Sequence, residues 1–256
     1  MNELHERNAW LNGGVAFCAT HPAQRWGSCR LVLLGAPGSG KGTQAGLLCE
    51  RLGGCHLPTG DVFRAARARA SSNGKLSSEL EQAVGYMRRG ELVPDEIVLA
   101  LVRHRGQCLR CAGGFVLDGF PRTVDQAEAL HKILQGENLA LTAAIHYELS
   151  GDQVVARLSG RRICPDCKAS FHVAKQPPQA EGICDHCGVR LIQREDDQPE
   201  SIRVRMRTYQ ENAAPLLDFY RNRGLLISID ADSSPVETCE RTITALTDAA
   251  AATSPG

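Results

Sequence analysis

The chain has no excess of charge of either sign: Lys plus Arg is 29 and Asp plus Glu is 29, with a sequence pI of about 7.1. A balanced chain carries no electrostatic footprint for a nucleic acid or an anionic membrane, so any phosphate binding has to be local. It also lacks any stretch approaching the roughly 20 apolar residues that span a bilayer. The apolar run Val15 to Ala19 is too short for the core of a secretory signal. These absences predict a cytoplasmic protein with neither a nucleic-acid nor a membrane partner. No internal repeat is visible, and no low-complexity tract beyond the Ala-rich end from Ala249, which excludes solenoid and propeller architectures.

Cysteine, in contrast, is abundant. Eleven cysteines, an odd number without an export signal, argue against a disulfide framework and for metal binding. A length of 256 residues suffices for one well-packed domain of roughly 200 residues plus appendages. Residues 1–28 mix Glu3, Glu6, Arg7, Trp10, Gly13 and Gly14 without periodicity and read as an N-terminal extension. A transit peptide stays open as an alternative, although such segments are poorer in acids and richer in Arg.

Five short apolar runs read as strands: Arg30 to Leu34, Cys55 to Leu57, Phe115 to Leu117, Ala144 to Leu149 and Leu225 to Ile229. Segments with helical spacing separate them, which predicts an α/β fold with a five-stranded parallel sheet and helices on both faces. Helix starts are marked by Pro94 with Asp95 and Glu96, by Thr123 with Gln126, by Pro199 with Glu200, and by Pro235 with Glu237. Two stretches interrupt the alternation, one helical from Gly60 to Gly90 and one rich in Cys, Pro and Gly from Gly160 to Asp197. Both are expected to project from the core as insertions.

The first strand runs into Gly35-Ala-Pro-Gly-Ser-Gly-Lys-Gly-Thr43, which opens a helix near Gly42. This is the P-loop pattern. Its glycines let backbone N–H groups converge on phosphate oxygens, the helix N-terminus adds its positive end, and Lys41 reaches the β and γ phosphates. The expected ATP contacts here are Gly38, Ser39, Gly40, Lys41, Gly42 and Thr43. Gly42 stands where a Ser or Thr usually ligates magnesium, with Thr43 one place late, so Mg2+ is expected to be held by ATP oxygens and waters. Asp118, at the end of its strand, is the natural carboxylate for those waters; capping the next turn is its plainer role.

Cys164-Pro-Asp-Cys167 and Cys184-Asp-His-Cys187 are two CxxC pairs separated by 16 residues, the spacing of a tetrahedral four-cysteine Zn2+ site. The intervening loop is too small to hold a core of its own, so the metal is expected to be structural, its binding free energy replacing the missing core. A redox switch, a catalytic zinc and a nucleic-acid-binding ribbon are the competing readings. His172 and His186 are spare donors, and Cys108-Leu-Arg-Cys111 is a third CxxC with no partner pair, read as incidental.

Gly35 to Thr43, Thr59-Gly-Asp-Val-Phe-Arg64 and Asp118-Gly-Phe-Pro-Arg-Thr123 occur in the order and spacing of adenylate kinases. The sequence resembles that family, in its zinc-binding long-lid branch, from about Arg30 to Leu246. The resemblance implies a P-loop kinase fold with a core of residues 29–57, 94–159 and 198–256, an acceptor-binding domain of 58–93 and a zinc-bearing lid of 160–197 that turns about Gly160 and Asp197. It implies reversible transfer of the terminal phosphoryl group of MgATP to AMP, giving two ADP, by a monomer.

On the acceptor side the resemblance assigns the AMP phosphate to Arg64 and Arg122, adds Arg194 and Arg205 to the AMP contacts, and gives the pocket lining to Glu91, Leu92, Val93, Gly119, Phe120 and Pro121. Adenine reading falls to Thr59 and Gln126. Two jobs are open to Gln126, because it also completes the expected capping box with Thr123. On the donor side Arg157, Ser170, Phe171 and Ser233 fall where the family meets ATP. Lys41, Arg122, Arg161, Arg194 and Arg205 match the cations around the transferring group, which catalysis needs to neutralise its spread charge. Asp196 and Asp197 fall near the lid hinge.

Two features depart from the family: a segment between Arg64 and Met87 that is longer, with Ser71-Ser-Asn-Gly74 as the extra turn, and Pro58 where a Ser is common. Either bears on acceptor choice. A kinase for another monophosphate or one using GTP, and a P-loop ATPase with a zinc ribbon, are the rival readings.

Overall fold

Every apolar run that reads as a buried strand folds as one, in a computed structural model that describes residues 28–70, 78–89, 91–104, 106–167 and 169–253. β1 (Cys29–Gly35) is followed by α1 (Lys41–Leu52), β2 (Cys55–Pro58), α2 (Thr59–Ala70), α3 (Ser78–Arg89), α4 (Asp95–His104), the single turn α5 (Gly106–Leu109) and β3 (Gly114–Asp118). Then come α6 (Val124–Gly136), β4 (Ala143–Glu148), α7 (Gly151–Ser159), β5 (Arg161–Ile163), β6 (Ser170–His172), a 3-10 turn over Glu195–Asp197, α8 (Pro199–Arg221), β7 (Leu226–Asp230) and α9 (Pro235–Thr253). Residues 1–27 and the expected extra turn at Ser71–Gly74 lie outside the described residues.

Five strands form one sheet in the order β2-β3-β1-β4-β7, with all four pairings parallel. β1 is central, pairing Leu31 with Val116 on one side and with Ala143 on the other. Alternation along it divides the interior into two layers: Val32 and Leu34 pack with residues of α4, α6 and α8, whereas Leu31 and Leu33 pack with those of α1 and α9. This two-faced burial is what a parallel sheet with crossover helices demands. The strand ends differ from the sequence expectation by a residue at several places, because ladder pairing carries β1 on to Gly35 and β3 on to Asp118.

The helix starts follow the signals, with one displacement. Thr123 caps α6 by accepting from the Gln126 N–H at 3.2 Å. The return half of the expected box shifts by one residue, since Gln126 Oε1 accepts from the Arg122 N–H (2.8 Å) rather than from Thr123. A complete capping box forms instead at Ser150 and Gln153, ahead of α7, where the sequence reading had marked no start. The third CxxC is packing: Cys108 and Cys111 are buried in the larger core layer, and Cys111 Sγ lies 2.8 Å from that of Cys55.

The two interruptions fold as follows. α2 and α3 pack on each other between β2 and α4, and α3 also touches α8 and the 3-10 turn. The Cys-rich stretch makes its own antiparallel pair, β5 with β6, closed by an Ile163–Ile192 bridge around a small cluster of Cys164, Phe171, Cys184 and Leu191.

Candidate functional site

The C-terminal ends of β1, β2 and β3 carry the chemistry. β1 ends in Gly35 at φ 139, where a Cβ would stand 2.6 Å from the Tyr147 carbonyl oxygen, so only glycine fits between β1 and β4. The turn that follows places Gly40, at φ 94, as the cap of α1. Lys41 folds back over it, its Nζ donating to the carbonyls of Gly35 (2.7 Å) and Ala36 (2.8 Å) and to Ser39 Oγ (3.4 Å). Burial is the main influence on its ammonium; with the charges of Arg122, Arg205 and Arg161 it outweighs Asp118 and brings the pKa to about 7.

Asp118, at the end of β3, faces the same loop. A side chain at position 42 would begin 3.3 Å from its Oδ2. Gly42 therefore leaves room for a carboxylate where the commoner P-loop has a hydroxyl. Burial pushes the Asp118 carboxyl up, but His56, at 3.8 Å, and Lys41 outweigh it, so the net direction is down and the group is held ionised. His56, on β2, is a site neighbour the sequence reading missed; nothing in a lone His on a short strand marks it. Thr43 is exposed at the start of α1.

Thr59 opens α2 and donates from Oγ1 to the Asp118 carbonyl (3.0 Å), tying β2 to β3 at the mouth of the site. After Asp118 the chain turns through Gly119 (φ 85), buried Phe120 and a cis Phe120–Pro121 bond into Arg122, whose Nε donates to the Gly119 carbonyl (2.9 Å). The surrounding chain and Arg205 push Arg122 down to about 10, although its side chain still reaches solvent. Gln126 is buried, its Nε2 donating to Asp95 Oδ1 at 2.6 Å. Val93 packs into the core, and the Glu91 carboxylate accepts from Arg89 (2.9 Å).

Arg64, Arg161 and Arg205 are held by carboxylates. Arg64 donates from Nε and Nη2 to Asp61 Oδ1 (2.9 and 2.6 Å); burial opposes its charge, but Asp61 and Asp196 reverse this and raise its pKa. Arg161 grips fully buried Asp197 in a two-pronged pair (2.7 and 2.5 Å). Arg205 donates to the Asp196 carbonyl (2.8 Å) and lies 3.2 Å from both the Asp196 and Asp197 carboxylates. Arg194 is pushed down to about 9 by burial and by the charges of Arg64 and Arg161. Lys41, Arg64, Arg122, Arg161, Arg194 and Arg205 thus form one connected set of charges, with Asp61, Asp118 and Asp196 as the counter-charges. Sequence reading missed Asp61, although its position three residues before Arg64 on a helix was the available signal.

Among the other expected ATP contacts, Arg157 lies beside the P-loop, 3.9 Å from where a Gly40 Cβ would be, and donates to the Ala231 carbonyl (2.8 Å). Ser233 Oγ sits 2.9 Å from Thr238 Oγ1. Ser170 is exposed on β6, and the Phe171 ring is turned into the small cluster of the Cys-rich stretch.

The four sulfurs of Cys164, Cys167, Cys184 and Cys187 all lie within 4.8 Å of one another. Tetrahedral thiolates at a Zn–S distance of roughly 2.3 Å stand roughly 3.8 Å apart, so the set fits one such ion. Backbone bonds shape the second knuckle, with Gly188 N–H donating to the Cys184 carbonyl and Cys184 N–H to that of Val189, both at 2.9 Å. His172 is otherwise engaged, its Nδ1 accepting from the N–H groups of Ala174 and Lys175.

Comparison with known proteins agrees with this geometry. The family model described as "Adenylate kinase" matches residues 33–225. The adenylate kinase of Caldicellulosiruptor saccharolyticus is 44% identical over 218 residues, covering 85% of this chain and 98% of the relative. That of Streptomyces avermitilis is 44% identical over 218 residues (85% and 96%). That of Desulforamulus reducens is 46% identical over 202 residues (79% and 92%).

Proposed function

The chain belongs to the adenylate kinase family, and from that premise we propose how its residues move the terminal phosphoryl group of MgATP to AMP, giving two ADP. The observation that carries the proposal is that six cations feel one another's charge around the P-loop and the Asp118–Arg122 turn.

Transfer is direct and in line. The acceptor phosphate is already anionic, so no strong general base is required, and the protein's work is to position and neutralise. Gly38, Ser39, Gly40, Gly42 and Thr43 offer the donor phosphates the loop and the positive end of α1. Arg157, with backbone near Ser170, Phe171 and Ser233, flanks the donor nucleotide. Arg64 and Arg122 grip the AMP phosphate; Thr59 and Gln126 read its base; residues 91–93 and 119–121 line the pocket. Lys41, Arg122, Arg161, Arg194 and Arg205 stabilise charge on the equatorial oxygens. A bound magnesium ion would supply further neutralisation of the phosphates, and Asp118, kept ionised beside Gly42, would hold its waters.

Residues 58–93 act as the acceptor arm and 160–197 as a lid that excludes water, a competing acceptor, until both nucleotides are in place. The four-cysteine set takes zinc in a structural role: four thiolates leave no open position. The protein works as a cytoplasmic monomer, and no described helix is long and apolar enough to cross a membrane.

Phosphorus NMR of the protein with MgATP and each of AMP, GMP, CMP and UMP, with ATP alone as control, tests the assignment. ADP formation with AMP and little phosphate release in the control is the expected result. Transfer to a different monophosphate moves the error to Thr59, Gln126 and the acceptor arm, and acceptor-independent hydrolysis overturns the kinase reading.

A further inference from the structure

Gln126 stands at the start of α6 with a side-chain amide that two neighbours orient. Its Nε2 donates to Asp95 Oδ1 at 2.6 Å, and its Oε1 accepts from the Arg122 backbone N–H at 2.8 Å. The second oxygen of Asp95 accepts from Thr123 Oγ1 at 3.0 Å, and that hydroxyl also accepts from the Gln126 N–H at 3.2 Å. Asp95 and Gln126 come from different helices, α4 and α6, and Gln126 is only 1% exposed. Rotating the amide by half a turn would set Oε1 against the Asp95 carboxylate and Nε2 against the Arg122 N–H. Both contacts would then be repulsive.

We propose that Asp95 is a specificity-determining residue: by fixing the Gln126 amide in one orientation, it makes the acceptor site accept a 6-aminopurine monophosphate and reject a 6-oxopurine one. This rests on the reading of Gln126 as the base reader. An amide has two donor hydrogens and two acceptor lone pairs. Asp95 and Arg122 occupy one of each, leaving one Nε2 hydrogen and one Oε1 lone pair. Adenine offers a ring-nitrogen acceptor beside the 6-amino donor on either of its edges, which pairs with that remainder. A 6-oxo base sets its carbonyl oxygen against Oε1, acceptor to acceptor. With a freely turning amide, Gln126 could swap ends and serve a 6-oxo base as well. Asp95 removes that option without touching the nucleotide, which makes it a positioning residue.

The test compares kcat/KM with MgATP for AMP and IMP, which differ only on the edge that carries position 6, in the full-length, zinc-loaded protein and in Asp95→Asn and Gln126→Ala. Asn keeps the shape of Asp but can present either an acceptor or a donor to Gln126. The expected result is a fall of about tenfold or more in the AMP-to-IMP ratio for Asp95→Asn, mostly through KM for AMP, because a lost hydrogen-bond discrimination is worth at least that much. An equal loss for both nucleotides would reduce Asp95 to a supporter of the α4 N-terminus and overturn the proposal. If the ratio falls in Gln126→Ala but not in Asp95→Asn, the base reader stands and the orienting role of Asp95 fails. If it falls in neither, the base reading fails with it. Asp95→Ser, which keeps a residue suited to a helix start, gives the same readout if Asp95→Asn folds poorly.

Discussion

Lys41 is the residue whose surroundings fix the most about activity. Its Nζ donates to two carbonyls of its own loop, so arriving phosphates must draw it off backbone oxygens. Lys41→Ala is expected to cost about 4 kcal/mol of transition-state stabilisation, roughly a thousandfold in kcat/KM; near-normal turnover would remove it from the site. Its pKa of about 7 lies below the usual lysine value of 10.5. The unfolded chain therefore binds the proton more tightly than the folded protein. In this group's contribution, stability rises with pH between those two values and levels off outside them. Triphosphate charge acts in the opposite direction and restores the proton. Calorimetry of ATP binding at pH 8 in buffers of different ionisation enthalpy should record proton uptake, shrinking towards zero by pH 6.

At this scale the sequence was uneven. Lys41, Asp118, Arg122 and the four cysteines were legible because each belongs to a motif whose spacing has a mechanical reason. Asp95 and His56 were not, because their roles arise from chain crossings: Asp95 meets Gln126 31 residues later, and no local pattern announces that.

Among elements, the four-cysteine stretch and α7 make the sharpest demands. Among the described residues the apolar cluster of the four-cysteine stretch has just Cys164, Phe171, Cys184 and Leu191 as buried members, a small core for a β-hairpin, which a bound metal would supplement. Chelation of the metal should raise amide hydrogen exchange across residues 161–192 while leaving β1, β3 and β4 protected. Equal protection with and without metal would show that the stretch holds itself together. Ser150→Ala removes the cap of the helix that carries Arg157, and should lower unfolding free energy by about 1 kcal/mol in a denaturant titration. The boundary shifts seen in the strands belong here too. Hydropathy marks where burial begins, whereas register marks where pairing ends, and Gly35 and Asp118 are paired although neither reads as apolar.

For the whole molecule, the strand order places β1 between strands reached by chains leaving in opposite directions, and such a switch point opens a crevice at the carboxyl ends of the strands. The stretch from α2 to α3 follows β2 at that end, and Arg64 on it, Lys41 of the P-loop and Arg205 on α8 come near enough to feel one another's charge although they are far apart in sequence. The fold class and the sheet were readable because periodicity and strand–helix alternation constrain them globally. The core that supports the crevice should be unforgiving: Phe115, fully buried on β3, is expected to cost about 3–5 kcal/mol when changed to Ala, measured as a drop in the denaturant midpoint.

Asp197 binds Arg161 and lies against Arg205 from a fully buried position, and the half-buried Asp61 pairs with Arg64. The carboxylates therefore act as resident counter-anions, and on the proposed assignment of these arginines nucleotide binding would be an ion exchange and not the filling of a bare positive hole. A single inorganic phosphate can displace only one such occupant at a time and gains little by it. A nucleotide pair, delivering several phosphoryl groups on one scaffold, displaces several at once, and this multivalence tunes the cleft to polyphosphates in a cell full of simpler anions.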